Sequence, residues 1–131
     1  MISATSETIQ YQTKFSDANH HAISDVTSDK GGSDAGFGPH QLLEAALATC
    51  VNITVRMYAD NHGIPLRGVT TNVSLDRTGT DEVVFRYDLV LDGELSPEQE
   101  RKLQLAANAC PVRRTLSKKI SFESGVPAPR T

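Results

Sequence analysis

The sequence lacks tryptophan, has only two cysteines and contains no block of basic residues. Two cysteines, Cys50 and Cys110, are too few for the disulfide framework of a small secreted domain. Neither lies in a CxxC motif or beside a histidine pair at ligand spacing, so the pattern predicts no zinc site. The 13 Lys and Arg residues stand against 16 Asp and Glu residues, a net charge of −3. Without a basic patch, nucleic acid is not an expected partner.

An uninterrupted run of about 18 apolar residues, which a membrane span needs, is also absent. The first residues carry neither the basic start nor the apolar core of a secretory signal. A length of 131 residues predicts a single domain over residues 1–131, with a frayed tail over about 125–131. We therefore expect a cytoplasmic protein with no membrane partner. In such a reducing compartment, two cysteines either pack in the core or take part in redox chemistry.

Alternation of polar and apolar residues predicts several short strands. Residues 6–26 have the pattern of a hairpin, and residues 69–75 and 83–91 have the pattern of a second one. A last short strand is predicted at residues 120–123. With the two helices described next, the predicted order is β-β-α-β-β-α-β, an α+β fold whose strands pair largely as hairpins.

The longest helix is predicted to begin at Pro39 and to end near His62. A second helix begins at Ser96 with a capping box and carries a narrow apolar stripe. The long helix is apolar on more than one face, and its apolar positions are Leu42, Leu43, Ala46, Leu47, Cys50, Val51, Ile53, Met57 and Tyr58. Such a helix is covered on most of its sides. Because the chain is short, we expect a partner subunit to supply that covering.

The two cysteines occupy different positions in these helices. Cys50 lies in the middle of the long helix among apolar neighbours, where a free cysteine usually behaves as a small buried hydrophobe. Cys110 directly precedes Pro111 and a further helical turn, and Arg113 and Arg114 follow it. Backbone N–H groups and cations near a sulfur favour the thiolate, so spacing alone ranks Cys110 as the better nucleophile. Cys110 can equally be a packing residue at the end of the apolar stripe of the second helix, with the two arginines that follow it facing solvent.

Three strings, GGSDAGFGPHQLLEAALATC, RMYADNHGIPLRGV and ACPVRRTLSKKISFE, resemble the OsmC/Ohr family of thiol-dependent peroxidases. The resemblance covers roughly residues 28–123 and rests on the Gly-rich loop and on the motif around each cysteine. It implies an intertwined homodimer with an OsmC-like α+β fold, in which two long central helices are enclosed by antiparallel strands of both chains. It also implies an organic hydroperoxide as substrate. No bound cofactor is implied, and an external dithiol, lipoyl-linked in some relatives, is the expected reductant.

The same resemblance implies a role for each cysteine. Cys50 would attack the O–O bond and become a sulfenic acid, and Cys110 would resolve it as a disulfide, which reverses the ranking from spacing. Peroxidase members place an arginine and a glutamate beside the thiolate. Here Lys30 occupies the arginine position and His40 the glutamate position. These two residues are the candidates for stabilising the thiolate and the developing alkoxide. Two alternatives stay open: a non-catalytic dimeric binder of small apolar or acyl ligands, and a thiol redox sensor.

Overall fold

A computed structural model describes residues 1–125, which form two antiparallel sheets and three α-helices. The first sheet has the strand order β1-β2-β3, and the second consists of β4 and β5. In chain order the elements are β1 (Ser3–Ser6), β2 (Thr13–Ser16), β3 (His21–Ser24), a 3-10 turn (Ser28–Lys30), α1 (Pro39–Asn61), β4 (Gly68–Asp76), β5 (Val84–Asp92), α2 (Pro97–Ala107) and α3 (Pro111–Leu116). The predicted α+β class is confirmed.

The long helix α1 has the bounds that its sequence predicts. Its first residue is Pro39, and the Gln41 side chain accepts a hydrogen bond of 2.8 Å from the Gly38 N–H in front of it. Beyond the helix, Gly63 has a φ of 62°, which lets the Ile64 N–H bond back to the helix at 2.9 Å. One face of α1 is buried against β4, α2 and α3, and it consists of Leu47, Val51, Val55 and Ala59.

Another face of α1 is uncovered. Leu43, Ile53 and Met57 lie on it, and the last two are 56% and 61% exposed. By length and composition α1 is the one helix among the described residues that could cross a membrane, a test that core helices of soluble proteins also pass. Since its opposite face forms the core with β4 and α2, this property is weak evidence for a span. The uncovered face agrees with a helix that needs a further covering layer.

The observed element order corrects the predicted one at both ends. Residues 3–6 form an extra strand, whereas the alternating residues 7–12 form a turn in which Tyr11 has a φ of 69°. No strand forms at residues 120–123 within the described chain, and Phe122 there is 93% exposed. A strand exists only where a neighbour accepts its hydrogen bonds, and this segment has no such neighbour in one chain. The predicted tail beyond residue 125 lies outside the described residues.

The Gly-rich loop folds back along β3 and leads into α1. Ser24 Oγ donates a hydrogen bond of 2.8 Å to the Phe37 carbonyl, and the Phe37 carbonyl also accepts the Asp25 N–H at 3.3 Å. A Cβ at Gly36 would lie 2.0 Å from the Ile23 carbonyl oxygen, so only glycine permits this approach. The glycines therefore serve backbone packing that fixes the start of α1.

Asp25 organises the same loop from within, although the sequence gives no sign of it. Its carboxylate is 3% exposed and accepts three backbone N–H groups at 2.7–3.1 Å, from Val26, Ser33 and Ala35. Burial opposes ionisation, but these hydrogen bonds outweigh it and lower the pKa of Asp25. A buried carboxylate with this pattern of partners has a structural role.

The helix α2 confirms its predicted start and its apolar stripe. Ser96 Oγ accepts the Gln99 N–H at 3.1 Å, and the Gln99 side chain accepts the Ser96 N–H at 3.0 Å. The stripe of Leu103, Ala106 and Ala107 is buried against the core. After α2 the chain turns at Cys110 and enters α3, which lies against α1. This turn carries Cys110 to the middle of α1.

Candidate active site

Cys50 lies in the middle of α1 at the boundary between its buried and its uncovered face. Its neighbour Val51 is fully buried and Ile53 is exposed, whereas Cys50 itself is half-buried and packs beside the core cluster. The helical spacing places Thr54 one turn further along the same face. Cys50 is therefore held rigidly by the longest helix and still reachable from solvent.

Cys110 is the residue that precedes the first turn of α3, and its side chain is 0% exposed. Two backbone hydrogen bonds fix it, from the Cys110 N–H to the Ala107 carbonyl at 3.3 Å and from the Arg114 N–H to the Cys110 carbonyl at 3.1 Å. Both cysteines are free thiols. Because the end of α2 and the start of α3 hold the backbone of Cys110, its sulfur has a fixed position against α1.

The fold brings the two cysteine side chains together, and their pKa values shift in opposite directions. Burial opposes ionisation of Cys50, but hydrogen bonding from the Cys110 thiol, the Val112 N–H and the Thr54 hydroxyl outweighs it. The charge of Arg114 adds to these effects, and the pKa of Cys50 is lowered. Cys50 is thus the sulfur that ionises more readily.

Burial is the main reason that the pKa of Cys110 is raised, and its hydrogen bonding to Cys50 raises it further. The backbone N–H groups of Arg113 and Val112 do lower it, as the sequence suggested, but they are outweighed. These directions favour Cys50 as the nucleophile, whereas spacing alone favours Cys110. In this pair, Cys50 favours the thiolate, whereas Cys110 stays a thiol and donates a hydrogen bond to the Cys50 sulfur.

His40 and Lys30 do not approach Cys50 of the same chain. The ten residues from His40 to Cys50 correspond to about 15 Å along the axis of α1. His40 and Lys30 instead share an exposed polar cleft of about 350 Å³ at the start of α1, together with Arg77 and Asp34. Within one chain, they cannot stabilise the Cys50 thiolate.

Two residues near Cys50 were not assigned to it from the sequence. Thr54 follows it by one helical turn, which is a signal that helical periodicity could have given. Arg114 was expected to influence Cys110, but its charge also acts on Cys50. The packing of α3 on α1 that causes this is a tertiary contact, so no local pattern reveals it.

Two further charged residues of α1 have structural partners. Glu44 accepts the Leu75 N–H of β4 at 2.8 Å. Arg56 bonds to Asp60 at 2.8 Å and to the Leu66 carbonyl at 2.7 Å. These contacts tie α1 to the second sheet and to the segment after the helix. Neither residue is part of the cysteine pair.

The family model for OsmC-like protein matches residues 31–125, which include both cysteines and all three helices. The chain belongs to the OsmC/Ohr family. This family is linked to osmotic stress and to organic hydroperoxide resistance. No curated protein matches the chain at the sequence level.

Solved structures share the fold of this OsmC/Ohr member. An OsmC-like protein from Mycoplasma pneumoniae has a TM-score of 0.75 at 20% identity, over 88% of this chain and 85% of its own. The organic hydroperoxide resistance protein OsmC from Legionella pneumophila has a TM-score of 0.62 at 21% identity, over 89% and 88%. An organic hydroperoxide resistance protein from Elizabethkingia anophelis has a TM-score of 0.64 at 15% identity, over 88% and 86%. At these identities the comparisons establish the fold alone.

Proposed function

We propose that the protein reduces organic hydroperoxides, with Cys50 as the attacking thiolate and Cys110 as the resolving thiol. The observation that supports this most is the opposite shift of the two pKa values within one cysteine pair. A peroxidatic sulfur must be an anion that peroxide can reach, and a resolving sulfur must be close to it. The half-buried Cys50 and the buried Cys110 fit these two requirements.

In the first step, the Cys50 thiolate attacks the hydroxyl-bearing oxygen of the hydroperoxide O–O bond. The S–O bond forms as the O–O bond breaks, giving Cys50 sulfenic acid and an alkoxide, which leaves as the alcohol after protonation. Sulfur is oxidised and the peroxide is reduced by the same two electrons. Charge moves onto the leaving oxygen, so a nearby cation would lower the barrier.

In the second step, Cys110 attacks the Cys50 sulfur, and the sulfenic oxygen leaves as water as the disulfide forms. An external dithiol then reduces the disulfide by thiol exchange and becomes oxidised itself. The chain needs no bound cofactor for this cycle. We place the enzyme in the cytoplasm, where a reducing pool keeps both cysteines as thiols.

The proposed enzyme is a homodimer. Its support is the uncovered face of α1, on which Leu43, Ile53 and Met57 are exposed around Cys50. Two α1 helices packed on each other through this face would bury these apolar side chains beside Cys50. Any stabilisation of the reacting sulfur by His40 or Lys30 would have to come from the second chain, because one chain alone does not allow it.

The test is turnover of cumene hydroperoxide and of tert-butyl hydroperoxide with a dithiol reductant. We expect the wild type to consume both peroxides catalytically and Cys50→Ser to abolish consumption. Cys110→Ser is the matched variant: without the dithiol, it should reduce one equivalent of peroxide, stop, and accumulate oxidised Cys50. Rates no faster than those of free cysteine, for both peroxides, would refute the proposal. A slow stoichiometric disulfide without turnover would instead indicate a thiol redox sensor.

A second candidate function is a binder of small apolar or acyl ligands. It is favoured by a largely apolar cleft of about 780 Å³ between the first sheet and the start of α1, within the range of ligand pockets. Ile2, Phe15 and Leu42 line it, and Lys30 lies at its edge. Saturable binding of a fluorescent fatty acid, lost in Phe15→Asp and retained in Cys50→Ser, would support this function. Failure to bind would exclude it.

A further inference from the structure

We infer that Tyr87 is a positioning residue for the resolving step, because its hydroxyl holds the segment that carries Cys110 in place against α1. This role rests on the proposed function, since it concerns how readily Cys50 and Cys110 form a disulfide. It adds a contact that lies outside the cysteine pair. Its support is a hydrogen bond between β5 and the end of α2, together with the scarcity of other polar contacts between this segment and the rest of the fold.

Tyr87 lies on the inward face of β5 and is the one residue of that face with a polar group. The inward positions alternate with exposed ones, and they are Phe85, Tyr87, Leu89 and Leu91. The Tyr87 ring packs on the core, and its hydroxyl donates a hydrogen bond of 2.8 Å to the Asn108 side-chain oxygen. This distance is typical of a well-formed O–H···O bond. Because β5 is paired with β4 along its whole length, Tyr87 is a donor with a fixed position.

Asn108 follows the last residue of α2 and stands two residues before Cys110. The backbone hydrogen bonds of this turn are local: the N–H groups of Asn108, Ala109 and Cys110 bond to the carbonyls three residues earlier, at 3.0–3.3 Å. The Arg113 guanidinium also reaches the Asn108 carbonyl, at 3.5 Å. A contact that holds the Asn108 side chain therefore holds the turn that carries Cys110.

Few polar contacts fix this segment against the rest of the molecule. Within the described chain, no ion pair links residues 96–125 to residues 1–95. Apart from the hydrogen bonding at the Cys50 sulfur, the Tyr87–Asn108 bond is the one hydrogen bond among the described residues that joins these two parts. Apolar packing attaches the segment otherwise, through the buried residues Leu103, Ala106, Ala107 and Cys110. Apolar burial is non-directional, so it holds the segment against α1 without selecting one orientation of the turn.

The resolving step depends on where this turn lies. In that step the Cys110 sulfur attacks the Cys50 sulfenic sulfur, the S–S bond forms as the S–O bond breaks, and the hydroxyl leaves as water with the thiol proton. The rate and the equilibrium of this step both depend on the effective concentration of one sulfur at the other. If the turn moved between several positions, the two sulfurs would meet for only part of the time. The Tyr87 hydroxyl keeps the turn in the position where they meet.

The experiment measures the thiol–disulfide equilibrium of the protein with reduced and oxidised dithiothreitol, which involves no hydroperoxide. Oxidised dithiothreitol takes two electrons from the cysteine pair, so the two protein thiols become a disulfide as the reagent becomes a dithiol. We expect Tyr87→Phe to lower the equilibrium constant for disulfide formation about two- to tenfold, the range that one net hydrogen bond produces. Tyr58→Phe is the matched control, because it removes a hydroxyl from another tyrosine that packs on the same core, and it should leave the constant unchanged.

Asn108→Ala removes the acceptor of the same bond and should lower the constant by a similar factor. When Tyr87→Phe and Asn108→Ala are combined, the loss should equal that of either variant alone, because both remove one hydrogen bond. Urea titrations of the reduced proteins separate positioning from stability. A residue that only stabilises the fold lowers the free energy of unfolding and leaves the disulfide equilibrium unchanged. That result, or additive losses in the combined variant, would overturn the inference.

These outcomes are distinct from those that test the proposed function. If no hydroperoxide is turned over and Tyr87→Phe still weakens the disulfide, the peroxidase proposal fails and the role of Tyr87 stands. If the wild type is a peroxidase and Tyr87→Phe has the same disulfide equilibrium, the role of Tyr87 fails and the peroxidase proposal stands. A wild type that forms no disulfide with oxidised dithiothreitol in large excess would also overturn the role of Tyr87.

Discussion

Replacing Cys110 with alanine tests whether one cysteine controls the ionisation of the other. The substitution removes the thiol that donates to the Cys50 thiolate and leaves the Val112 N–H and the Thr54 hydroxyl in place. A hydrogen bond to a charged group contributes about 1.5–3 kcal/mol, and a thiol is a weak donor, so the lower end applies. Its loss should therefore raise the pKa of Cys50.

The expected effect on reactivity is smaller than the change in thiolate fraction. Losing about 1.5 kcal/mol from the stabilisation of the thiolate reduces the thiolate fraction at neutral pH by up to about tenfold. A more basic thiolate is also a stronger nucleophile, which with a Brønsted slope near 0.5 restores about threefold. Alkylation of Cys50 at neutral pH should therefore slow by about threefold in Cys110→Ala.

Thiolate absorbance in the ultraviolet, followed as a function of pH, measures the pKa directly. The converse variant, Cys50→Ala, serves as the control: the pKa of Cys110 should fall toward its ordinary value but stay raised, because burial is its main cause. Identical titration curves for Cys50 in the wild type and in Cys110→Ala would show that the two sulfurs do not interact. The reasoning about the pair would then be refuted.

Three other predictions concern stability and assembly. Leu103→Ala, at a fully buried position, should lower the free energy of unfolding by about 2–5 kcal/mol in urea titrations, whereas Leu105→Ala, at a position 55% exposed on the same helix, should cost far less. Because the pKa of Asp25 is lowered in the folded protein, the stabilising effect of its carboxylate is present above the ordinary pKa of an aspartate and is lost as the pH falls below that value. Acid should therefore reduce the Tm of the wild type more steeply than the Tm of Asp25→Asn. If the proposed dimer forms through the exposed face of α1, Met57→Glu should sediment as a monomer, and Glu100→Gln, on an exposed face of α2, should still sediment as a dimer. The Asp25 prediction would be contradicted by equal slopes of Tm against pH in the wild type and Asp25→Asn. The Met57 prediction would be contradicted by equal sedimentation of Met57→Glu and Glu100→Gln.

Much of the fold is readable from the sequence because its signals are local. Pro39, Gly63 and the capping box at Ser96 mark helix ends through backbone chemistry that acts within one turn. Strict alternation of apolar residues over residues 83–91 indicates a strand, because every second side chain of a strand faces the same side of its sheet. The segment at 120–123 has the same alternation and forms no strand. Pairing needs a neighbour, and the alternation of one segment carries no information about that neighbour.

The candidate site is less predictable, since it consists of tertiary contacts. The resemblance makes Cys50 the attacking sulfur, whereas spacing favours Cys110 because it cannot weigh the burial of Cys110. Spacing associates Arg114 with the cysteine nearest in sequence, whereas its charge also lowers the pKa of Cys50. Asp25 gave no signal at all, because its three partners belong to a loop whose path sequence patterns do not determine.

The unequal accessibility of the two sulfurs has a consequence for how an oxidised form would be regenerated. With Cys110 wholly enclosed, an incoming thiol could reach the disulfide only at Cys50, so any mixed disulfide would be attached there. Cys110 would always be the leaving group, and a thiol with a raised pKa departs slowly. Recovery from oxidation would then be slowed, and small flexible dithiols would outperform bulky protein reductants.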